Sequence, residues 1–472
     1  MSWLVQVVTL PLWLFIVGAL LAAWAILASI MLPGVRWWFA SRASRVLDDV
    51  GAKLNIEVRP FQQTRRQALI DLVTYDAKVQ ETAAAFARDN QLPRDLVTAR
   101  IRSYASEIVP AFNAYLYFRL GYFIRRRIAQ SLYRVRLGYT DAAALSQIPK
   151  NSTVVFVMNH RSNMDYILAA YLAADQAALS YAVGEWARIW PLQQVIRSMG
   201  AYFVRRDSRD DLYRRVLERY IAMATANGVT QAVYPEGGLT RDGLLREPRI
   251  GVLDYMLRGF DPAGERDIVF IPLGINYDRV LEDRTLMLAH DRQAHRPGIA
   301  RAAWNTLAFV ARQVRLMARS RWNRFGYACV NFGAPISMRD YVARNGVDFR
   351  NLERDERFAR VTALGRELMR QVGSLVPVLP VPLVATVFAS AQDESLSELE
   401  LKARIEKLIE IATARGARIY VPRRDWDYAI GAGLEMLTLR HLVMEEDGLY
   451  RAVDSELPLL RYYANSIAHL FK

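Results

Sequence analysis

The sequence predicts an α/β protein with a mostly parallel sheet flanked by helices, preceded by one N-terminal transmembrane helix and carrying N- and C-terminal helical regions. Two observations predict it. From residue 153 onward, short runs rich in Val, Ile, Phe and Tyr alternate with helical stretches, the pattern of a largely parallel sheet. Before residue 36 the chain has no charged side chain at all.

That uncharged start is read first. Residues 12–32 form an apolar run, and about 20 helical residues span a bilayer. No Lys or Arg precedes the run, so the basic region of a secretion signal is missing. Arg36, Trp37, Trp38, Arg42 and Arg45 follow it, the aromatic and positive flank of a cytoplasmic side. The expectation is an anchor over residues 1–45 and an active portion facing the cytoplasm from an inner membrane. The alternative is a buried core helix.

Residues 46–140 read as a helical region, with apolar residues at mixed three- and four-residue spacings from about 61 to 130. Residues 112–127 are aromatic-rich and end in three arginines. A helix lying on a membrane surface and a packed helix with a basic C-terminal end both fit them. Strands are expected at 153–158, 201–204, 230–234, 267–273 and 329–332, with helices at 164–174, 209–226 and 249–257. This α/β unit is given the bounds 141–345. Residues 304–324 are basic and amphipathic, fitting a membrane-facing helix or a solvated one. Residues 372–392 are uncharged, but Pro377, Pro380 and Pro382 argue for loop and buried packing. The region 346–472 is otherwise mostly helical.

Composition excludes some chemistry. One cysteine, Cys329, rules out an internal disulfide framework and a cysteine-rich zinc site. Five scattered histidines suggest no metal cluster, and no cofactor is expected. Net charge is +14, nearly all of it from arginine, whose planar fork of donors suits phosphate. Nucleic acid, anionic lipid and phosphorylated small molecules all attract such a chain. No nucleic-acid module is recognisable, so no nucleic-acid partner is expected.

Four blocks carry chemistry. In Val157-Met-Asn-His-Arg-Ser-Asn-Met-Asp-Tyr166, a strand ends and His160 and Asp165 follow, four residues between them. Attack of a hydroxyl on an acyl carbonyl needs a base near neutral pH, and a carboxylate can fix its tautomer. A bland reading makes Asp165 a first-turn helix acid and His160 a loop residue. In Met199-Gly-Ala-Tyr-Phe-Val-Arg-Arg-Asp207, Arg205 and Arg206 stand at a strand end, where they either grip a phosphate or pair with Asp207, Asp210 and Asp211. In Val233-Tyr-Pro-Glu-Gly-Gly-Leu-Thr-Arg-Asp-Gly243, Gly237 and Gly238 let backbone approach a ligand, Glu236 orders the loop or meets a hydroxyl, and Arg241 is a further phosphate donor. In Ile268-Val-Phe-Ile-Pro-Leu-Gly-Ile-Asn-Tyr-Asp278, an apolar strand carrying Pro272 either lines a substrate channel or is core.

In this order and spacing the blocks resemble the glycerol-3-phosphate acyltransferase family, over about residues 110–472. Pro382-Leu-Val-Ala-Thr386 and Arg461-Tyr-Tyr-Ala-Asn-Ser-Ile-Ala-His469 are similar to its C-terminal region. The resemblance implies a glycerolphosphate acyltransferase-like core and transfer of a fatty acyl group from acyl-CoA or an acyl-carrier-protein thioester to the sn-1 hydroxyl of glycerol 3-phosphate. It implies His160 as base, Asp165 as its orienting partner, and an acceptor site formed by Arg161, Arg205, Arg206, Glu236, Gly237, Gly238 and Arg241, with no metal. Partners would be membrane lipids and these two substrates. The family's third block usually reads Glu-Gly-Gly-Arg-Ser-Arg; here Leu239 stands at the first arginine and cannot hold phosphate. Alternatives are therefore another acceptor, such as dihydroxyacetone phosphate or a lysophospholipid, or a membrane lipid-binding protein without turnover.

Overall fold

The structure is a computed structural model describing residues 59–113, 129, 131–172, 179–183, 194, 197–198, 200–205, 208–290 and 325–471. The expected anchor over 1–45, most of the aromatic segment 112–127, and the basic stretch 304–324 lie outside the described residues. Among the described residues, no helix is long and apolar enough to cross a membrane.

After a single helical turn at Pro60–Gln63 come α1 (Arg66–Thr74), α2 (Ala77–Asp89) and α3 (Arg94–Ile108). The α/β portion follows as β1 (Arg134–Thr140), β2 (Thr153–Met158), α4 (Asp165–Leu172), β3 (Ser180–Val183), β4 (Ala201–Phe203), α5 (Asp211–Ala226), β5 (Gln231–Val233), α6 (Gly251–Leu257), β6 (Ile268–Tyr277), α7 (Asp283–His290), β7 (Tyr327–Phe332) and β8 (Ile336–Ser337). The chain ends in α8 (Met338–Asn345), α9 (Arg354–Leu375), α10 (Pro380–Ser390), β9 (Leu396–Ser397), α11 (Glu398–Ala414), α12 (Trp426–Leu439), β10 (Val443–Glu446), β11 (Leu449–Ala452) and α13 (Leu457–Asn465).

The main sheet has the order β1-β7-β6-β2-β5-β3-β4, with β8 beside β6. Strands β6, β2, β5, β3 and β4 run parallel, while β7 is antiparallel to β6 and β1 follows β7. Both faces are covered, as a parallel sheet requires. Along β2, Val155 and Val157 enter one core while Phe156 and Met158 enter the other. The first core adds the N-terminal helices, α5 and α9; the second adds α10, α12 and α13.

Two sequence expectations are corrected. Residues 372–392 are not loop, because α9 runs to Leu375 and α10 begins at Pro380. Pro380 sits in the first turn of α10, where a missing N–H removes no helix bond. Of the two readings of the fourth block, core holds, because Pro272 lies in the middle of β6, whose ten residues are all buried. β1 forms the sheet edge although the sequence reading left residues up to 140 in the helical region. Its Val135, Leu137 and Tyr139 alternate with Arg134, Arg136 and Gly138, a strand pattern, but the strand is short and its side chains are mostly exposed.

The end of α9 presses on β6. A Cβ added at Gly274 would lie 2.2 Å from the carbonyl carbon of Leu375, backbone that cannot step aside. Gly274→Ala is therefore expected to lower stability by about 1–3 kcal/mol, seen as a fall in urea midpoint at unchanged slope.

Candidate active site

β2 delivers its next residue into a clamp. The Asn159 side chain donates from Nδ2 to the Ile275 carbonyl and accepts from the Ile275 N–H at Oδ1, both at 2.8 Å. This fixes where the chain leaves the sheet. His160 to Asp165 then make a tight turn into α4.

Asp165 is fully buried. Its Oδ2 accepts from His160 Nδ1 at 2.9 Å, Arg161 N–H at 2.7 Å and Ser162 N–H at 3.0 Å. Its Oδ1 accepts from the Tyr277 hydroxyl at 2.6 Å. Burial, and then the charge of Asp165, pushes the Tyr277 phenol well above its ordinary value, so it stays a donor. An oxygen that already takes two amide protons can only accept from the imidazole, so Nδ1 carries a ring proton, and in the neutral ring the lone pair lies on Nε2.

The rest of the turn is braced from behind. His160 N–H donates to Glu236 Oε1 at 2.9 Å, and its carbonyl accepts from Thr240 N–H at 3.0 Å. The imidazole stacks on Tyr234, ring centroids 4.1 Å apart. Ser162 Oγ donates to Glu282 Oε2 at 2.8 Å, and Asn163 N–H donates to Glu282 Oε1 at 3.2 Å.

His160 opens on a cleft of about 310 Å³ that Arg205, Tyr234, Gly237, Gly238 and Arg249 also line. These come from the loops after β2, β4 and β5, at the C-terminal ends of parallel strands, where α/β ligands sit. Gly237 has φ +72°, and a Cβ there would lie 2.5 Å from Arg249 Cδ, so glycine makes room for that arginine. Arg205 makes a two-point ion pair with Glu107, at 2.9 and 2.6 Å, and lies over the rings of Tyr104 and Tyr213.

The other expected acceptor residues fall elsewhere. The Arg161 guanidinium is buried, donates to the Gly243 carbonyl at 2.9 Å and lies over the Tyr462 ring. Arg161 and Glu236 thus brace the turn instead of facing the cleft. Arg241 is exposed, Leu239 packs half-buried against the core, and Arg206 lies outside the described residues. Asp210 caps α5 and pairs with Arg100, not with Arg205. Sequence reasoning missed Tyr277, Tyr234, Arg249, Glu282 and Glu107. The first two stand inside blocks that were read for other residues; the last three carry no local signal.

Cys329 is buried on β7, and burial pushes its thiol up to about 12, so it stays protonated at neutral pH. Among the described residues, no group of three or more His, Cys, Asp and Glu is arranged to hold a metal ion.

The comparisons with known proteins now bear on this arrangement. An acyltransferase family model matches residues 142–276, which carry the His160–Asp165 pair and the cleft loops, so this part of the chain is an acyltransferase domain. A model of the glycerol-3-phosphate acyltransferase C-terminal region matches residues 312–472. The chain belongs to the glycerol-3-phosphate acyltransferase family. Glycerol-3-phosphate acyltransferase of Xanthomonas axonopodis pv. citri is 26% identical over 427 residues, 88% of this chain and 47% of that protein. The protein of that name from Pseudoalteromonas atlantica is 24% identical over 423 residues, 86% of this chain and 50% of that protein. The chain therefore spans about half the length of the curated relatives it matches. The solved 1-acyl-sn-glycerophosphate acyltransferase PlsC of Thermotoga maritima is similar at 17% identity and TM-score 0.31, over 66% of this chain and 97% of that one.

Burial raises the Glu236 carboxyl from its ordinary 4.5 to about 7, against the lowering effect of the His160 N–H. Between those values the native state holds a proton that the unfolded chain has released. Glu236 therefore costs stability as pH rises through that window, and the full cost stands above pH 7. Glu236→Gln keeps an acceptor for His160 N–H and removes the charge. It is expected to match the parent near pH 5 and to exceed it at pH 8 by something on the order of 1–3 kcal/mol in urea denaturation.

Proposed function

We propose that this chain is a glycerol-3-phosphate 1-O-acyltransferase, passing a fatty acyl group from acyl-CoA or an acyl-carrier-protein thioester to the sn-1 hydroxyl to give lysophosphatidic acid. The observation that carries the reading is the Asp165-held imidazole opening on a cleft that also holds an arginine and a paired-glycine loop. The family's name supports the acceptor.

The chemistry runs without a covalent enzyme intermediate. The acceptor hydroxyl oxygen forms a bond to the thioester carbonyl carbon while Nε2 of His160 takes its proton. Asp165 stabilises the imidazolium through Nδ1–H. The tetrahedral intermediate collapses, the carbon–sulfur bond breaks, and the departing thiolate takes the proton back from Nε2. The ester and a free thiol leave. The protonated, buried Cys329 is consistent with direct transfer. Arg205, with Arg206, receives the acceptor phosphate in this reading, Arg205 sharing its guanidinium with Glu107. An anchor over residues 1–45 would hold the domain at the cytoplasmic face of the inner membrane, where an amphiphilic donor and a lipid product reside.

A second acceptor is favoured by one observation. Leu239 turns into the core where the family usually carries an arginine, so the phosphate grip is weaker by one guanidinium. Dihydroxyacetone phosphate and lysophospholipids are the candidates.

Free-thiol release from acyl-CoA should depend on glycerol 3-phosphate, and an acceptor panel should rank it first; higher turnover on a lysophospholipid would replace this acceptor. His160→Ala and Asp165→Asn should each lower kcat roughly 100- to 10,000-fold in protein that circular dichroism shows to be folded. Full turnover by His160→Ala would remove the proposed base.

A further inference from the structure

A second cleft, of about 500 Å³, lies at the free edge of the sheet, three strands from β2, and acyl transfer makes no use of it. Among the described residues, β1 pairs only with β7. Arg134 and Arg136, two residues apart, share one face of that strand. Tyr327 sits opposite Arg134 in the register, and Tyr420 and Arg423 close the cleft from the C-terminal region.

The arginines here meet aromatic rings and hydroxyls. Arg134 Nη1 donates to the Tyr428 hydroxyl at 3.0 Å, and Arg136 Nε donates to the Tyr420 hydroxyl at 2.9 Å. Arg423 lies 4.1 Å over the Tyr428 ring and Arg418 3.8 Å over the Tyr139 ring. Among the described residues, Arg134, Arg136, Arg418, Arg423 and Arg424 pair with no carboxylate. Elsewhere some exposed arginines form surface ion pairs, as in Arg102–Asp71 and Arg404–Glu394; at this edge five stand together without one. The field is felt locally: the Tyr428 phenol is drawn below its ordinary value, first by the hydrogen bond from Arg134.

The backbone adds a second observation. Arg423 and Arg424 have φ of 58° and 57°, consecutive left-handed positions that non-glycine residues rarely adopt. Strain of this kind persists where function holds it. It presents two arginines to solvent, Arg423 over the Tyr428 ring. Trp426, two residues on, is 39% exposed.

Unneutralised arginines beside an exposed indole make a surface matched to an anionic bilayer, with guanidinium on phosphate and indole among the headgroups. The chain leading into β1 and into its neighbour β7, residues 112–127 and 304–324, is itself rich in arginine and aromatic residues. A small phosphorylated ligand could occupy the cleft, but it would leave Arg418, Arg424 and Trp426 unused. We infer that this sheet edge is the face by which the acyltransferase domain docks on the phospholipid headgroups of an anionic membrane. The inference rests on the membrane placement proposed above and is independent of the acyl-transfer step.

The test uses the full chain with Trp426→Cys carrying a fluorophore; Cys329 is buried and takes no label. Vesicles are phosphatidylcholine alone, or two parts phosphatidylcholine to one of phosphatidylglycerol, each with a nitroxide lipid. Quenching is expected in the anionic vesicles, weakly in the neutral ones, and should fall roughly fivefold in lipid affinity per arginine removed in Arg134→Gln, Arg136→Gln and Arg423→Gln. Arg423→Gln alone, at an exposed side chain, guards against misfolding of the triple variant. Equal quenching in both vesicles, quenching untouched by Arg423→Gln, or protection of the label by an acidic carrier protein in place of lipid would overturn it. A chain that floats with vesicles while the label stays unquenched sinks this face alone; a chain that floats with neither sinks the membrane placement too.

Discussion

The buried Asp165 carboxylate is the constraint on which the site rests. A carboxylate removed from water costs several kcal/mol unless donors replace the lost solvent. Four do so here: the His160 ring, the amides of Arg161 and Ser162, and the Tyr277 hydroxyl. Two of them are main-chain groups of the turn itself, so the same charge that aims the imidazole also sets the path of residues 160–165. Removing any donor leaves the charge less compensated, which is why local shape and chemistry are inseparable at this position.

The fourth donor ties the site to the register of the sheet. Tyr277 ends β6, and Asn159 locks β2 to Ile275 two residues earlier. A slip of one residue would turn Tyr277 to the other face. The C-terminal region then pins the end of β6. Asn276 donates to the Pro377 carbonyl, and Asp278 accepts from the Val381 N–H at the start of α10 and from the Tyr327 N–H. Burial raises Asp278 to about 7, so its bonds are made by a carboxyl near its midpoint at neutral pH. Just beyond, Asp283 meets Arg440 and the Tyr463 hydroxyl, a buried cluster joining α7 to α12 and α13. The catalytic domain and its C-terminal helices form one packed body because the strand that serves Asp165 is anchored in both.

Much of this was legible in the sequence, for physical reasons. β2, α5 and α6 announce themselves by two-sided apolar runs and by helical periodicity, and His160–Asp165 follows from a strand end meeting a first-turn acid. β3 was hidden because it is four residues long, whereas β1 alternates Val135, Leu137 and Tyr139 with Arg134, Arg136 and Gly138 inside a stretch whose neighbours read as helix. The antiparallel course of β7 depends on chain that no local pattern describes. Arg161 and Glu236 were read as acceptor ligands because motif position reveals residue type but not direction; both turn inward. The Arg205–Glu107 pair joins residues 98 apart, which spacing cannot show. The basic edge at Arg134 and Arg423 joins opposite ends of the described chain and has no motif.

The central claim is that Asp165 holds His160 with its proton on Nδ1 and its lone pair on Nε2. Nitrogen-15 NMR of the imidazoles tests it directly, since the chain has only five histidines. At neutral pH the His160 signal should show a protonated, strongly hydrogen-bonded Nδ1 and a bare Nε2. Asp165→Asn should release that preference. A His160 ring protonated at Nε2, or averaging freely between tautomers in the parent chain, would contradict the account.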